Sequence, residues 1–152
     1  MNIGFLLLTV NQTKEHAQIL QAINGLCELR PQDNIVLFNN YFEAVDTNQK
    51  YYTLSINHAK YFKGYLFIFD TQSAMLVSGF PAQDKQILHM SELEWYGQQS
   101  PYTTWHNIYM QERLDIITNT KENYDIIDIC WKKPKALIEA LDGESLNRIL
   151  QG

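Results

Sequence analysis

Four side chains with proton-transfer chemistry stand at or just past the ends of apolar runs. Asp70 directly follows the run 65–69, His89 sits near the end of 86–90, and Glu92 and Glu94 come just after it. A carboxylate held there accepts hydrogen bonds from sugar hydroxyls or acts as a general base, and an imidazole titrates near neutral pH. Each also has a plain structural reading. Asp70 caps a helix starting at Thr71 by accepting the N–H of Ser73. The stretch Glu92-Leu93-Glu94-Trp95-Tyr96 packs Leu93 and Trp95 inward and leaves both carboxylates in water. In the functional reading of the same stretch, the aromatic faces stack on sugars and the carboxylates hold hydroxyls. On these grounds Asp70, His89 and Glu92 are the candidate catalytic residues, and Asn11, Asn39, His58, Thr71, Glu94 and Trp95 the candidate ligand-binding ones.

The elements that must position these residues read as alternating buried strands and helices. Apolar runs at 3–8, 34–38 and 65–69 have the length and continuity of buried strands, and 51–56, 86–90 and 114–118 are further strand candidates. Thr13 caps a helix whose stripe includes Ala17, Leu20, Ile23 and Cys27 and which ends at Arg30-Pro31. Gly25 inside it implies a close approach, for which the sheet is the expected partner. Short helices follow at 59–62 and 71–77, and Pro101 opens one over 102–113. Residues 125–131 fit either a strand or a helix beginning near Lys121. A helix is preferred, because two buried strands joined only by 119–123 would have to run antiparallel. Residues 136–141 and 146–150 are short closing elements divided by Asp142-Gly143. The expected fold is therefore α/β, one Rossmann-like doubly wound domain with a mostly parallel sheet spanning the chain. In such sheets ligands bind beyond the carboxyl ends of the strands, where connections diverge. The chosen residues gather at that rim.

Composition narrows the classes. The chain has 152 residues, 45% of them hydrophobic and 19% charged, with a formal net charge of -5. An acidic chain lacks the surplus of Lys and Arg that phosphate contacts need, so nucleic acid is not the expected partner. The apolar run at 3–8 has no basic residue before it and is too short for a leader, and nothing approaches the roughly 18 apolar residues of a membrane span. A cytoplasmic protein is expected, with Cys27 and Cys130 as buried free thiols. The chain has no GxGxxG after the first strand, no GxxxxGK[ST] and no GxSxG, which argues against nicotinamide, phosphate-loop and hydrolase readings. His58, His89 and His106 do not fall at metal-ligand spacings, and no cofactor is expected. The one basic cluster, Trp131-Lys132-Lys133-Pro134-Lys135, reads as a phosphate grip, a partner surface or a solvated loop. The pairs Tyr41-Phe42, Tyr51-Tyr52 and Tyr61-Phe62 read as interface or sheet-edge residues.

The run Gln86-Ile87-Leu88-His89-Met90-Ser91-Glu92-Leu93-Glu94-Trp95 resembles a segment of phage-associated and bacterial glycosyltransferase-like proteins, in which a strand leads into an acidic-aromatic stretch ending in Glu-Trp. The run Leu114-Asp115-Ile116-Ile117-Thr118-Asn119-Thr120-Lys121 is similar to a strand and polar turn of the same proteins, and the resemblance covers residues 60–150. It implies the N-terminal Rossmann-like half of a two-domain glycosyltransferase that binds a sugar acceptor or a nucleotide sugar. The donor site would lie mainly on the absent C-terminal half, so catalysis would need a second domain or subunit. The competing expectation is a non-enzymatic interaction or structural module of viral type, with a protein partner or a second copy of itself.

Overall fold

The computed structural model describes residues 1–10, 13–40, 48–97 and 99–152. Asn11 and the pair Tyr41-Phe42 lie outside the described residues.

The first helix begins where its sequence supplies a cap. Thr13, in an extended conformation, accepts the N–H of His16 and starts α1 (Lys14–Leu29). Its buried residues Ile19, Ala22, Ile23 and Leu26 recur at helical spacing and give it one apolar face; Ala17, assigned to that stripe from sequence, is exposed. α1 links β1 (Asn2–Leu6) to β2 (Asn34–Asn39), and β3 (Tyr52–Ser55) and a 3-10 helix (Ile56–Tyr61) follow. Then come β4 (Tyr65–Ile68), α2 (Thr71–Val77), β5 (Lys85–Met90), α3 (Tyr102–Tyr109) and β6 (Leu114–Thr118). The chain closes with α4 (Lys121–Cys130), β7 (Ala136–Leu137) and α5 (Gly143–Gln151).

The strands form one seven-stranded sheet in the order β3-β2-β1-β4-β5-β6-β7. Every pairing is parallel, with Ile3 beside Ile35 on one side and Tyr65 on the other. This is the doubly wound α/β architecture expected from the alternation of runs. Side chains alternate along each strand, so the sheet feeds two cores. Ile3, Phe5, Leu37, Phe67, Ile87 and Ile117 meet α1 and α5 on one face. Leu6, Phe38, Leu66, Ile68, Leu88 and Ile116 meet the 3-10 helix and α2 to α4 on the other. Fully burying each such side chain contributes about 1.5–3 kcal/mol.

Residues 121–130 are helical, the preferred of the two readings, since Thr120 caps them by accepting the N–H of Asn123 at 3.1 Å. Other details depart from the sequence reading. α3 stops at Tyr109, and a turn from Gln111 to Leu114 leads into β6. Ala136 and Leu137 add a seventh strand at the sheet edge. Asp142 and Gly143 do divide two elements, but as the start of α5: Asp142 and Ser145 bond each other reciprocally in a capping box. Gly25 does make a close approach, yet to α5 and not to the sheet. A methyl group built on it would lie 3.4 Å from the Gly143 Cα. The cysteines are free, but only Cys27 is even half-buried. Cys130 is exposed, because α4 turns only Ile127 fully inward. Among the described residues no helix is long and apolar enough to cross a membrane.

Candidate functional site

The crevice arises where the chain changes direction. β1 passes to α1 on one face of the sheet, while its neighbour β4 passes to α2 on the other. The connections diverge between these two strands, and a cleft of about 260 Å³ opens at their carboxyl ends. Leu7 and Phe69 line it from the strand ends, Glu15 and His16 from the first turn of α1, and Asp70, Glu92 and Glu94 from the loops. A second cleft, of about 290 Å³, shares Glu15, Ile19, Ser91 and Glu92 with the first and adds His89, Asn119 and Glu139. Asp70, His89, Glu92 and Glu94 are thus brought to one continuous hollow. Neither cleft has a Lys or Arg among its described lining residues.

Asp70 is both a cap and a cleft residue. Its Oδ1 accepts the Ser73 N–H at 2.6 Å and so starts α2. Glu94 reaches across to the same helix start, where its two oxygens accept the Thr71 N–H at 3.0 and 3.2 Å. Burial pushes the Glu94 carboxyl above the usual carboxylate range. The Thr71 bond works against that push, while the neighbouring charges of Asp70 and Glu92 add to it. Glu92 is exposed and forms no hydrogen bond among the described residues, so its carboxylate is available to a ligand. His89 is half-buried and meets Phe69 edge to face, with ring centroids 6.1 Å apart. Its Nε2 is shut away from water without a partner among the described residues, and burial lowers its ionisation to about 4, so the ring is neutral at physiological pH. The loop after β5 is held at its base. Thr118 donates its hydroxyl to the Met90 carbonyl at 2.8 Å, and the Asn123 amide donates to the Ser91 carbonyl at 3.1 Å.

The other sequence candidates are placed elsewhere. Asn39 ends β2 at 2% exposure, and neither of its amide atoms has a partner among the described residues. His58 is exposed on the 3-10 helix beside the edge strand β3. Neither lines the two clefts. Thr71 is buried, its hydroxyl sharing a 2.8 Å hydrogen bond with the Tyr109 hydroxyl, whose ionisation burial raises to about 12. Trp95 turns inward and packs edge to face on Tyr109 and Trp131, at 5.6 and 5.7 Å. Most of the basic cluster is committed to structure. Lys132 donates to the Gln111 and Leu114 carbonyls, and Lys135 pairs with Asp115 at 3.5 Å. These contacts lie where β6 begins, at the opposite end of the strands from the crevice.

Sequence reasoning did not include Glu15, His16 or Glu139 among the candidates. Their one signal was polarity at the start of α1 and between β7 and α5. Among the described residues no group of three His, Cys, Asp or Glu side chains is arranged to hold a metal ion. No family model, curated protein or solved structure matches the chain.

Proposed function

We propose that this chain is a glycosyltransferase-type domain whose crevice takes the neutral sugar acceptor, with the nucleotide-sugar donor presented by another domain or a partner chain. The observation that carries this reading is the charge of the hollow. Glu15, Asp70, Glu92, Glu94 and Glu139 surround it, and no Lys or Arg is among its described lining residues. A diphosphate would be repelled there, whereas a polyol offers hydroxyl donors that carboxylates accept. Glu92, exposed and unbonded, is the proposed general base. It accepts the proton of the acceptor hydroxyl as that oxygen attacks the anomeric carbon of the donor and the phosphate leaves with the bonding pair. His89, held neutral, is a proposed hydrogen-bonding partner for a second hydroxyl through its Nδ1, since its Nε2 is enclosed. Two free cysteines fit a reducing, cytoplasmic setting.

Thermal unfolding with glucose, galactose, mannose, N-acetylglucosamine and UDP-glucose tests the reading. At least one neutral sugar at millimolar concentration is expected to raise Tm, and UDP-glucose is not. Asp70→Asn and Glu92→Gln are expected to weaken that sugar about ten-fold or more. Asp70→Asn should leave the Tm of the free protein nearly unchanged, because asparagine caps a helix about as well as aspartate. A panel in which no sugar shifts Tm, or in which UDP-glucose gives the largest shift, would reject the proposal.

A second reading has its own observation. In each described aromatic pair one ring packs inward and the other stays out. Tyr51 is buried and Phe62 meets Phe38 at 5.3 Å, while Tyr52 and Tyr61 are both 71% exposed beside the edge strand β3. An interaction module would use these rings to meet a second copy. Sedimentation that finds a dimer dispersed by Tyr52→Ser with Tyr61→Ser would favour it, and a strict monomer at high concentration would remove it.

A further inference from the structure

Past the loop that carries Glu92 and Glu94, a third groove of about 630 Å³ runs toward α2 and α3. Tyr96, Trp105 and Met75 line it together with Gln72 and the same two glutamates. Tyr96 is 79% exposed at the loop tip, and Met75 is 49% exposed on α2. Trp105 is half-buried and stacked on Tyr109, with centroids 6.0 Å apart and planes 8° from parallel, so its ring is firmly held. Its indole N–H has no acceptor among the described residues. No Lys or Arg lines this groove either.

We infer that the groove is a second sugar subsite, so that the acceptor is a neutral oligosaccharide lying across Glu92 and Glu94 with one unit in the acidic hollow and the next against Tyr96 and Trp105. This rests on the acceptor reading above and adds the length and neutrality of the ligand. Three observations converge on it. The groove is continuous with the hollow through two shared carboxylates. Its aromatic rings offer flat apolar surface of the kind that covers the C–H face of a pyranose. Its polar groups, Gln72 and the two glutamates, suit hydroxyls and disfavour anions. Trp95, beside them in sequence, is already consumed by packing, which leaves Tyr96 as the loop's free ring.

Calorimetric titration separates the possibilities, using cellobiose, maltose and N,N′-diacetylchitobiose beside glucose and N-acetylglucosamine. At least one disaccharide is expected to bind about ten-fold more tightly than its own monosaccharide, a difference of about 1.4 kcal/mol. Tyr96→Ala, a change at an exposed loop tip, should bring that disaccharide down to monosaccharide affinity while leaving the monosaccharide unchanged. Trp105→Phe should do so in part, and the indole N–H resonance of Trp105 should move with the disaccharide but not with the monosaccharide. Equal affinities for one unit and two, or indifference to Tyr96→Ala, would overturn the subsite and leave the acceptor reading standing. Binding of neither class would overturn both.

Discussion

Acidification from about pH 6.5 to about pH 4 is expected to cost this protein about 3 kcal/mol through His89 alone. In the unfolded chain the imidazole ionises near 6.5, and in the folded protein burial lowers this to about 4. The folded form therefore binds fewer protons over that window. The His89 contribution is full above about pH 6.5, declines as the pH falls, and is exhausted below about pH 4. For a chain of this size the loss corresponds to a Tm fall of roughly 6–12 °C. Glu94 works in the opposite sense. Its carboxyl is raised by burial, so its contribution is greatest below the ordinary carboxylate range and is lost as the pH rises. Comparison of wild type with His89→Gln isolates the imidazole, since Glu94 is common to both. The variant's stability should vary much less with pH across the window, and parallel curves for the two proteins would refute the assignment.

Gly64→Ala is expected to destabilise by about 4 kcal/mol, a Tm fall of roughly 8–16 °C, because two costs coincide there. Gly64 has φ +147, a region that side-chain-bearing residues rarely adopt, and an added methyl would lie 2.3 Å from the Asn2 carbonyl oxygen. Neither obstacle can relax cheaply. Asn2 is fixed in β1 and donates its side-chain amide to the Lys63 carbonyl, and the Gly64 carbonyl accepts the Asp84 N–H at 3.1 Å. Gly143→Ala meets backbone too, 2.5 Å from the Gly25 carbonyl carbon, but without the positive φ, and should cost less. Gly79→Ala meets nothing within 4 Å and serves as the neutral control. Chemical denaturation of the three variants orders them. A Gly64→Ala protein as stable as Gly79→Ala would show that the turn before β4 can be rebuilt.

The parts of the fold that were legible in sequence are those written locally. The bounds of α2 follow from Asp70, which caps it, and from the Gly79-Phe80-Pro81 break after it. The interior strands β1, β2 and β4 showed as apolar runs because a parallel sheet covered on both faces leaves no polar alternation, whereas the edge strand β3 alternates in burial. β7 was not legible, since two residues become a strand only by finding the edge of β6. The same division holds at the site. Asp70, His89, Glu92 and Glu94 could be placed because topology fixes where strand ends lie. Glu15 and Glu139 could not, because they reach the hollow from α1 and from the link before α5, whose positions depend on the packing of two helices far apart in the chain. Trp95 looked like Tyr96 in sequence. The partners that draw it inward, Tyr109 and Trp131, arrive on later elements.

The uniformly parallel sheet also governs how the chain must reach its native state. Among the described strands no neighbours are joined by a hairpin, so every pairing waits on a crossover, and Ile3 must wait for Tyr65 before β1 has its second neighbour. Each ring closure is an entropic toll met before the contacts that repay it, which slows assembly. A nascent chain emerging from the ribosome would hold one edge of the oily β1 open until β4, and the bare flank of α1 open until α5, had been synthesised, and in that interval it would be a natural client for a chaperone.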